Sequence, residues 1–145
     1  MDNFVDILRD LVNEKGLSLR KLEKESGISS NQYSRYLRGA MPAVDCAIKM
    51  ANYFNCSLDY LFGLTDKRNY TNYSNILGDW SVFLGRYKKL LENNKITHWK
   101  FCKNNGLSES NIRHWENYGE HPNIATLFVI SFNLGGSIDF LVGRL

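Results

Sequence analysis

An internal repeat is the feature of this sequence that most restricts its fold. Gly27 and Gly106 align at an offset of 79 residues, and the same offset matches Phe4 to Phe83. One inserted residue near Tyr118 then raises the offset to 80 for the rest of the chain. Because a repeated segment folds as one structural module, we predict two copies of roughly 65 residues each. The predicted domains are residues 1–66 and residues 79–145, joined by a polar linker at residues 67–78.

Each copy has the pattern of five short helices. In the first helix of the first copy, Phe4, Leu8 and Leu11 recur at the spacing that buries one side of a helix. Ser and Gly residues mark the helix ends, because Ser caps the first N–H groups and Gly accepts a left-handed turn. No segment shows the sustained polar–apolar alternation of a strand. The predicted fold class is therefore all-α, with two tandem five-helix domains.

Composition excludes several classes of protein. The chain has 145 residues and three cysteines, none of them in a CxxC pair, which argues against a disulfide framework or a structural zinc site. Its most apolar stretch, residues 124–132, has less than half the length of a membrane span. Asp2 directly follows Met1, so no secretory signal is visible. We expect a soluble, cytoplasmic protein with no cofactor and no bound metal.

The second and third helices of the first copy are separated only by Gly27, Ile28 and Ser29. So short a turn makes two helices cross steeply, as in a helix-turn-helix motif. The third helix would then bury Tyr33 and Tyr36 and expose its polar side. Asn and Gln can pair with adenine and Arg with guanine, while the N–H groups at the helix start could hold a phosphate. The exposed side chains would be Ser30, Asn31, Gln32, Ser34, Arg35 and Arg38.

Charge is distributed unevenly in the first copy. Residues 18–39 carry a net charge of +3, whereas the rest of residues 1–66 carries −4. A basic motif within an otherwise acidic domain is expected of a protein that presents one surface to nucleic acid. A merely solvated helix surface is the other explanation of such a pattern.

Residues 4–65 resemble the lambda-repressor-like, Cro-type (XRE) helix-turn-helix family. The resemblance lies in GLSLRKLEKESGISSNQYSRYLRG (16–39), Pro42, AIKMANYF (47–54) and SLDYLFG (57–63). It implies that the third helix enters the major groove of operator DNA. Leu19 departs from the family, which usually has a polar, phosphate-contacting residue there. The resemblance implies base contacts by Ser30, Asn31, Gln32 and Arg35, and further DNA contacts by Ser18, Arg20, Lys21, Ser34 and Arg38.

Residues 83–145 resemble the same family more distantly. Ile112 and Trp115 take the positions of the two tyrosines, and we expect them to be the buried pair of this copy. Glu109 stands where the first copy has Ser30, and phosphates would repel this acid at the tip of the helix. The surface of the second copy that corresponds to the DNA-binding surface is therefore less suited to DNA. The side chains there that could still contact DNA are Ser110, Asn111, Arg113, His114 and Asn117.

The fourth helix of the second copy is apolar on nearly every side. Val129 and Phe132 replace Lys49 and Asn52 of the first copy. A helix that is apolar all round must be buried all round. We therefore expect Val129 and Phe132 to pack against the first copy or against a second chain.

Two modes of DNA binding remain open. The linker of about 12 residues reaches at most ~40 Å, and half-sites one helical turn apart are separated by ~34–36 Å. One chain could therefore occupy two adjacent half-sites. Two chains could equally form a homodimer through their second copies and place both first copies on a palindrome. We favour the dimer because of Glu109 and the apolar fourth helix.

An enzyme is the first alternative function. His98 and Cys102 lie one helical turn apart and could gather with His114 as a catalytic or zinc site. Cys102, however, occupies a position where the family needs a small residue against the third helix, which predicts burial rather than reactivity. No P-loop, GxSxG or HExxH motif is present. We expect no enzyme.

The second alternative is a helix-turn-helix fold used as a protein-binding module, of the antirepressor or immunity type. The favoured interpretation is a sequence-specific transcriptional regulator that binds double-stranded DNA, a phage-type or prokaryotic repressor. The choice of repressor over activator follows from the resemblance alone.

Overall fold

The computed structural model describes residues 3–69 and 77–145. Within these residues the protein is all-helical, with ten α-helices, one short 3-10 helix and no strand. This confirms the all-α part of the predicted fold class. The helices group into two compact units, Met1–Leu77 and Gly78–Leu145. Residues 70–76 of the predicted linker lie outside the described residues.

Five helices form the first unit. They are α1 (Phe4–Lys15), α2 (Leu19–Ser26), α3 (Ser30–Leu37), α4 (Val44–Tyr53) and α5 (Leu58–Leu61). The Ser18, Ser29 and Ser57 side chains accept N–H groups in the first turns of α2, α3 and α5, as their positions predict. Phe4 stacks on Phe62 with ring centroids 5.0 Å apart, which joins the start of α1 to the end of α5.

The chain that follows α5 is bound to the first unit through Arg68. Its guanidinium donates to both carboxylate oxygens of Glu14 at 3.0 and 2.9 Å, and to the backbone oxygen of Phe54 at 2.9 Å. The Arg68 carbonyl in turn accepts the N–H of Ser57 at 2.8 Å. Residues 67–69 belong to the linker predicted from the sequence. Through Arg68, this part of the linker is bound to the first unit.

The second unit begins with a 3-10 helix and continues with five α-helices. These elements are the 3-10 helix Trp80–Val82, α6 (Phe83–Asn93), α7 (His98–Asn105), α8 (Asn111–Asn117), α9 (Ile124–Leu134) and α10 (Ile138–Leu141). An aromatic cluster joins α6 to α8, because Trp115 packs edge-on against Phe83 at 5.2 Å and Tyr87 at 5.7 Å between ring centroids. Phe101 and Cys102 of α7 are buried beside it, and the burial of Cys102 is as predicted.

An ion pair is buried at the carboxyl end of the second unit. Arg144 and Asp139 are only 3% and 1% exposed, and the guanidinium donates to the carboxylate. Leu64 occupies the aligned position of Arg144 in the first unit, so the sequence repeat gives no indication of this pair. Gly143 lies beside it at φ 79°, and a Cβ there would come within 2.5 Å of the Asp79 backbone oxygen. The end of the chain is thus tightly packed against the start of the second unit.

Candidate nucleic-acid interface

The turn between α2 and α3 is fixed by a hydrogen-bond network around Ser26. The Tyr33 hydroxyl donates to Ser26 Oγ at 2.7 Å, and Ser26 Oγ donates to the Leu22 carbonyl at 2.6 Å. Ser26 Oγ also accepts the N–H of Ile28 at 3.2 Å. Gly27 takes the left-handed conformation that the turn requires, at φ 76°. Because Tyr33 belongs to α3 and Ser26 to α2, this network sets how the two helices cross.

The inner side of α3 carries the two tyrosines that the sequence assigns to the core. Tyr33 and Tyr36 are 0% and 4% exposed, which confirms this prediction. Burial raises the pKa of each phenol to about 12. Both hydroxyls therefore remain protonated donors at neutral pH, and that of Tyr36 donates to Cys46 Sγ of α4 at 3.2 Å. The inner side of α3 is thus anchored to both α2 and α4.

The outer side of the two helices is polar and cationic. Asn31, Arg35 and Arg38 are exposed on or beside α3, whereas Ser30, Gln32 and Ser34 are half-buried. Ser18, Arg20 and Lys21 are exposed at the start of α2, and Leu19 between them is half-buried. We call this set the α2–α3 surface: Ser18, Arg20, Lys21, Ser30, Asn31, Gln32, Ser34, Arg35 and Arg38.

The cations of the α2–α3 surface are without an acidic partner in the part of the chain that the structure describes. Among the described residues, none of Arg20, Lys21, Arg35 and Arg38 forms an ion pair. Other cations of the first unit do pair, as Arg68 does with Glu14 and Arg9 with Asp6. A set of exposed, unneutralised cations on one motif is suited to phosphate groups.

The N-terminus of α3 differs from the phosphate-binding end expected from the sequence. Ser29 and Gln32 form a reciprocal capping box, in which the Ser29 N–H donates to Gln32 Oε1 and the Gln32 N–H donates to Ser29 Oγ, both at 3.1 Å. Glu23 Oε1 accepts the Ser30 N–H at 2.8 Å. Three backbone donors are therefore already satisfied, and the Gln32 side-chain oxygen is engaged within the protein. The Glu23 contact has no local sequence signal, since its partner lies seven residues away.

The corresponding helix of the second unit is shorter than predicted. The alignment places the start of the helix at Glu109, but α8 begins at Asn111, and its N-cap Ser110 makes no side-chain capping bond. Ile112 and Trp115 are only half-buried, so the prediction that they form a buried pair is wrong. The start of α8 lies two residues after the position aligned with the start of α3, and α8 has seven residues where α3 has eight.

The side chains on α8 are partly engaged within the second unit. His114 Nδ1 lies 2.8 Å from Glu120 Oε2, and Glu116 pairs with Lys88 at 2.9 Å. Arg113, His114 and Asn117 are exposed, whereas Ser110 and Asn111 are half-buried. Fewer groups are thus free for DNA here than on the α2–α3 surface.

Of the residues considered as a metal or catalytic cluster, His98 and Cys102 do come into contact, with Cys102 Sγ 3.5 Å from His98 Nε2. His98 Nε2 donates to the Glu109 carbonyl at 2.9 Å, since a carbonyl only accepts, and His98 Nδ1 lies 2.7 Å from the Tyr87 hydroxyl oxygen. Burial raises the pKa of the neighbouring Cys102 thiol, which disfavours the thiolate. Across residues 3–69 and 77–145, no three His, Cys, Asp or Glu side chains are gathered as metal ligands.

The fourth helix of the second unit, α9, leaves part of its apolar surface uncovered. Phe132 is 70% exposed, Val129 is half-buried, and Phe132 stacks on Phe128 with ring centroids 6.1 Å apart. None of the eleven residues of α9 is charged. Of the helices that the structure describes, none is both long enough and apolar enough to cross a bilayer.

The comparisons with known proteins concern the first unit. Residues 8–61 match the model of a helix-turn-helix family of the XRE type, and the match extends from the middle of α1 to the end of α5. Domains of this family bind double-stranded DNA and are regulatory rather than typically enzymatic. No curated protein and no solved structure matches the chain.

Proposed function

We propose that this chain is a sequence-specific transcriptional regulator that binds double-stranded DNA through its first unit. The observation that supports this most is the α2–α3 surface, whose four cations form no ion pair among the described residues. The family match over residues 8–61 includes both helices and supports this proposal, because domains of that family bind double-stranded DNA. The resemblance to phage-type and prokaryotic regulators favours a repressor, acting in the cytoplasm where its operator would lie.

The proposed contacts follow the placement of each side chain. The outer side of α3 would enter the major groove, where Asn31 and Arg35 lie one helical turn apart and can reach base edges. Ser30 and the Gln32 amide, whose side chains are shorter than that of Arg35, would add further contacts with base edges. Phosphate contacts are proposed for the exposed side chains around the motif, namely Ser18, Arg20, Lys21, Ser34 and Arg38.

Binding to DNA is expected to weaken steeply as salt rises, because each phosphate neutralised by a cation releases counterions. The slope of log affinity against log salt should be about −0.9 per phosphate contacted. Arg38→Ala should make this slope shallower by about 1 and weaken all sequences alike. Fluorescence anisotropy with a labelled random-sequence duplex, over a salt series, measures both quantities.

Arg9→Ala is the matched control for this experiment. It removes the same charge from α1, where Arg9 already pairs with Asp6 at 3.2 Å, and the slope should not change. Equal slopes for the two variants would contradict the proposed phosphate contact. Binding that does not respond to salt would contradict DNA binding through this surface and favour the protein-binding alternative.

We propose further that the second unit is chiefly an assembly module, in which α9 contacts α9 of a second copy. In a two-fold dimer the same surface meets itself, so a charged surface would repel its own copy, whereas α9 carries no charge. Phe128, Val129 and Phe132 share one side of this helix, and Phe132 is 70% exposed. Such a dimer would present two copies of α3 to a palindromic operator. Direct DNA contact by the second unit, from Ser110, Asn111, Arg113, His114 and Asn117, would then be secondary.

Exchanging Val129 for Lys and Phe132 for Asn, the residues of α4 at these positions, is expected to dissociate the dimer. Two like charges would meet across the two-fold axis, and the exposed aromatic surface would be lost. Sedimentation velocity should then show at least a tenfold rise in the dissociation constant. Asn93→Lys adds a charge at an exposed site on α6 and should leave the dimer intact. A chain that sediments as a monomer before any substitution would contradict the proposal.

A further inference from the structure

Glu23 of α2 is bound to the first turn of α3. Its Oε1 accepts the Ser30 N–H at 2.8 Å, although Glu23 itself is exposed at the surface of α2. Glu23 and the Ser29–Gln32 capping box together hold the backbone that carries Ser30 and Asn31. These two residues are at the tip of α3 that the proposed function places nearest to the bases.

The second unit shows the same turn without this carboxylate. Cys102 stands at the position aligned with Glu23, and its thiol is buried. The capping box is absent as well, and α8 begins two residues later than the aligned start of α3. The first two residues of α3 are therefore helical in the unit that has Glu23 and the capping box. The aligned residues are not helical in the second unit, which lacks both.

The Glu23 carboxylate also occupies the end of α3 that would attract an anion. The positive end of a helix dipole and its free N–H groups bind phosphates, and here an intramolecular carboxylate already satisfies one of those groups. A phosphate that approached this end would meet a negative charge. The N-terminus of α3 is therefore a poor site for a phosphate, and its side chains remain available for contacts with base edges.

We propose that Glu23 is a positioning residue for DNA recognition, an inference that rests on the proposed function. It holds the α3 tip in the helical geometry from which Ser30 and Asn31 reach bases, and its charge keeps phosphates of non-cognate duplexes away from that tip. The side chain acts through the backbone of Ser30 and does not itself contact a base.

The test compares Glu23→Ala and Glu23→Gln for two duplexes, an operator selected from a random pool and a random-sequence duplex of equal length. Glu23→Ala loses the hydrogen bond and the charge, so its ratio of operator to random affinity should fall about tenfold. Glu23→Gln keeps an oxygen acceptor, so operator affinity should be retained, while random affinity rises roughly two- to fivefold. Amide hydrogen exchange of Ser30 should accelerate in Glu23→Ala and remain slow in Glu23→Gln.

Glu25→Gln and Glu25→Ala are the matched controls. Glu25 lies on the same helix and carries the same charge as Glu23. Its carboxylate, however, accepts a hydrogen bond from the Tyr53 hydroxyl of α4 at 3.2 Å, and none of the hydrogen bonds described for Glu25 reaches α3. Neither control should change the affinity ratio or the exchange of the Ser30 amide. An unchanged ratio in Glu23→Ala, or an equal rise in random affinity in Glu25→Gln, would overturn this inference alone. A wild-type chain that binds neither duplex would overturn the proposed function and the inference with it.

Discussion

Replacing Arg144 with methionine is expected to destabilise the second unit by about 3–5 kcal/mol. The substitution removes the guanidinium that faces the Asp139 carboxylate, and Asp139 is only 1% exposed, so water cannot replace that interaction. The effect can be assigned to one unit, because the three tryptophans of the chain, Trp80, Trp99 and Trp115, all lie in the second. Tryptophan fluorescence during urea unfolding therefore reports on that unit.

Lys88→Met is the matched control for the buried pair. Lys88 pairs with Glu116 at 2.9 Å, but the two side chains are 52% and 37% exposed, so this loss should cost less than about 1 kcal/mol. The double variant Arg144→Met, Asp139→Leu should recover most of the lost stability, because two apolar side chains replace both charges together. Equal losses in Arg144→Met and Lys88→Met would contradict the assignment of a buried, mutually dependent pair.

Arg35→Ala is expected to remove about 1–3 kcal/mol of discrimination at a single base pair. Arg35 is exposed on α3 and has no ion pair among the described residues, so its guanidinium is available for a bidentate contact with guanine. The measurement is the affinity of wild type and variant for a selected operator and for each of its single base-pair substitutions. Wild type should discriminate strongly at one position where the variant does not.

Two further variants, one at Arg35 and one at Arg38, separate the effect of charge from the effect of side-chain geometry. Arg35→Lys keeps the charge but lacks the planar fork, so it should retain much of the affinity and still lose the discrimination. Arg38→Ala, at the C-cap of α3, should weaken binding to every sequence by a similar factor. If Arg35→Ala instead weakened all sequences equally, Arg35 would contact phosphate and the assignment of its role would be wrong.

Local features of the fold could be predicted because caps act within one turn. Ser18, Ser29 and Ser57 start their helices as expected, each by accepting an N–H three residues further on. The same reasoning fails at Ser108, which aligns with Ser29. Its partner in a capping box would be Asn111, whose side chain is one methylene shorter than that of Gln32, and α8 starts later.

Features that depend on distant partners could not be predicted from the pattern. The repeat aligns Arg144 with Leu64, and a charge count cannot tell that this arginine is buried against Asp139 while Arg35 remains exposed. In the charge count of residues 18–39, Glu23 is only one of two acids that lower the net positive charge of the motif. Its contact with the Ser30 N–H becomes visible only when the turn brings α2 and α3 together.

Under the proposed function, the cations of the α2–α3 surface would also affect how quickly the first unit finds DNA. The motif carries +3 while the remainder of residues 1–66 carries −4, so this region of the chain is an electric dipole with its positive pole on one motif. The electric field of a polyanion orients such a dipole before contact. A larger fraction of diffusional encounters then begins with the α2–α3 surface facing the polyanion. This orientation raises the association rate at low ionic strength, where screening is weak, without any change in the contacts of the bound state.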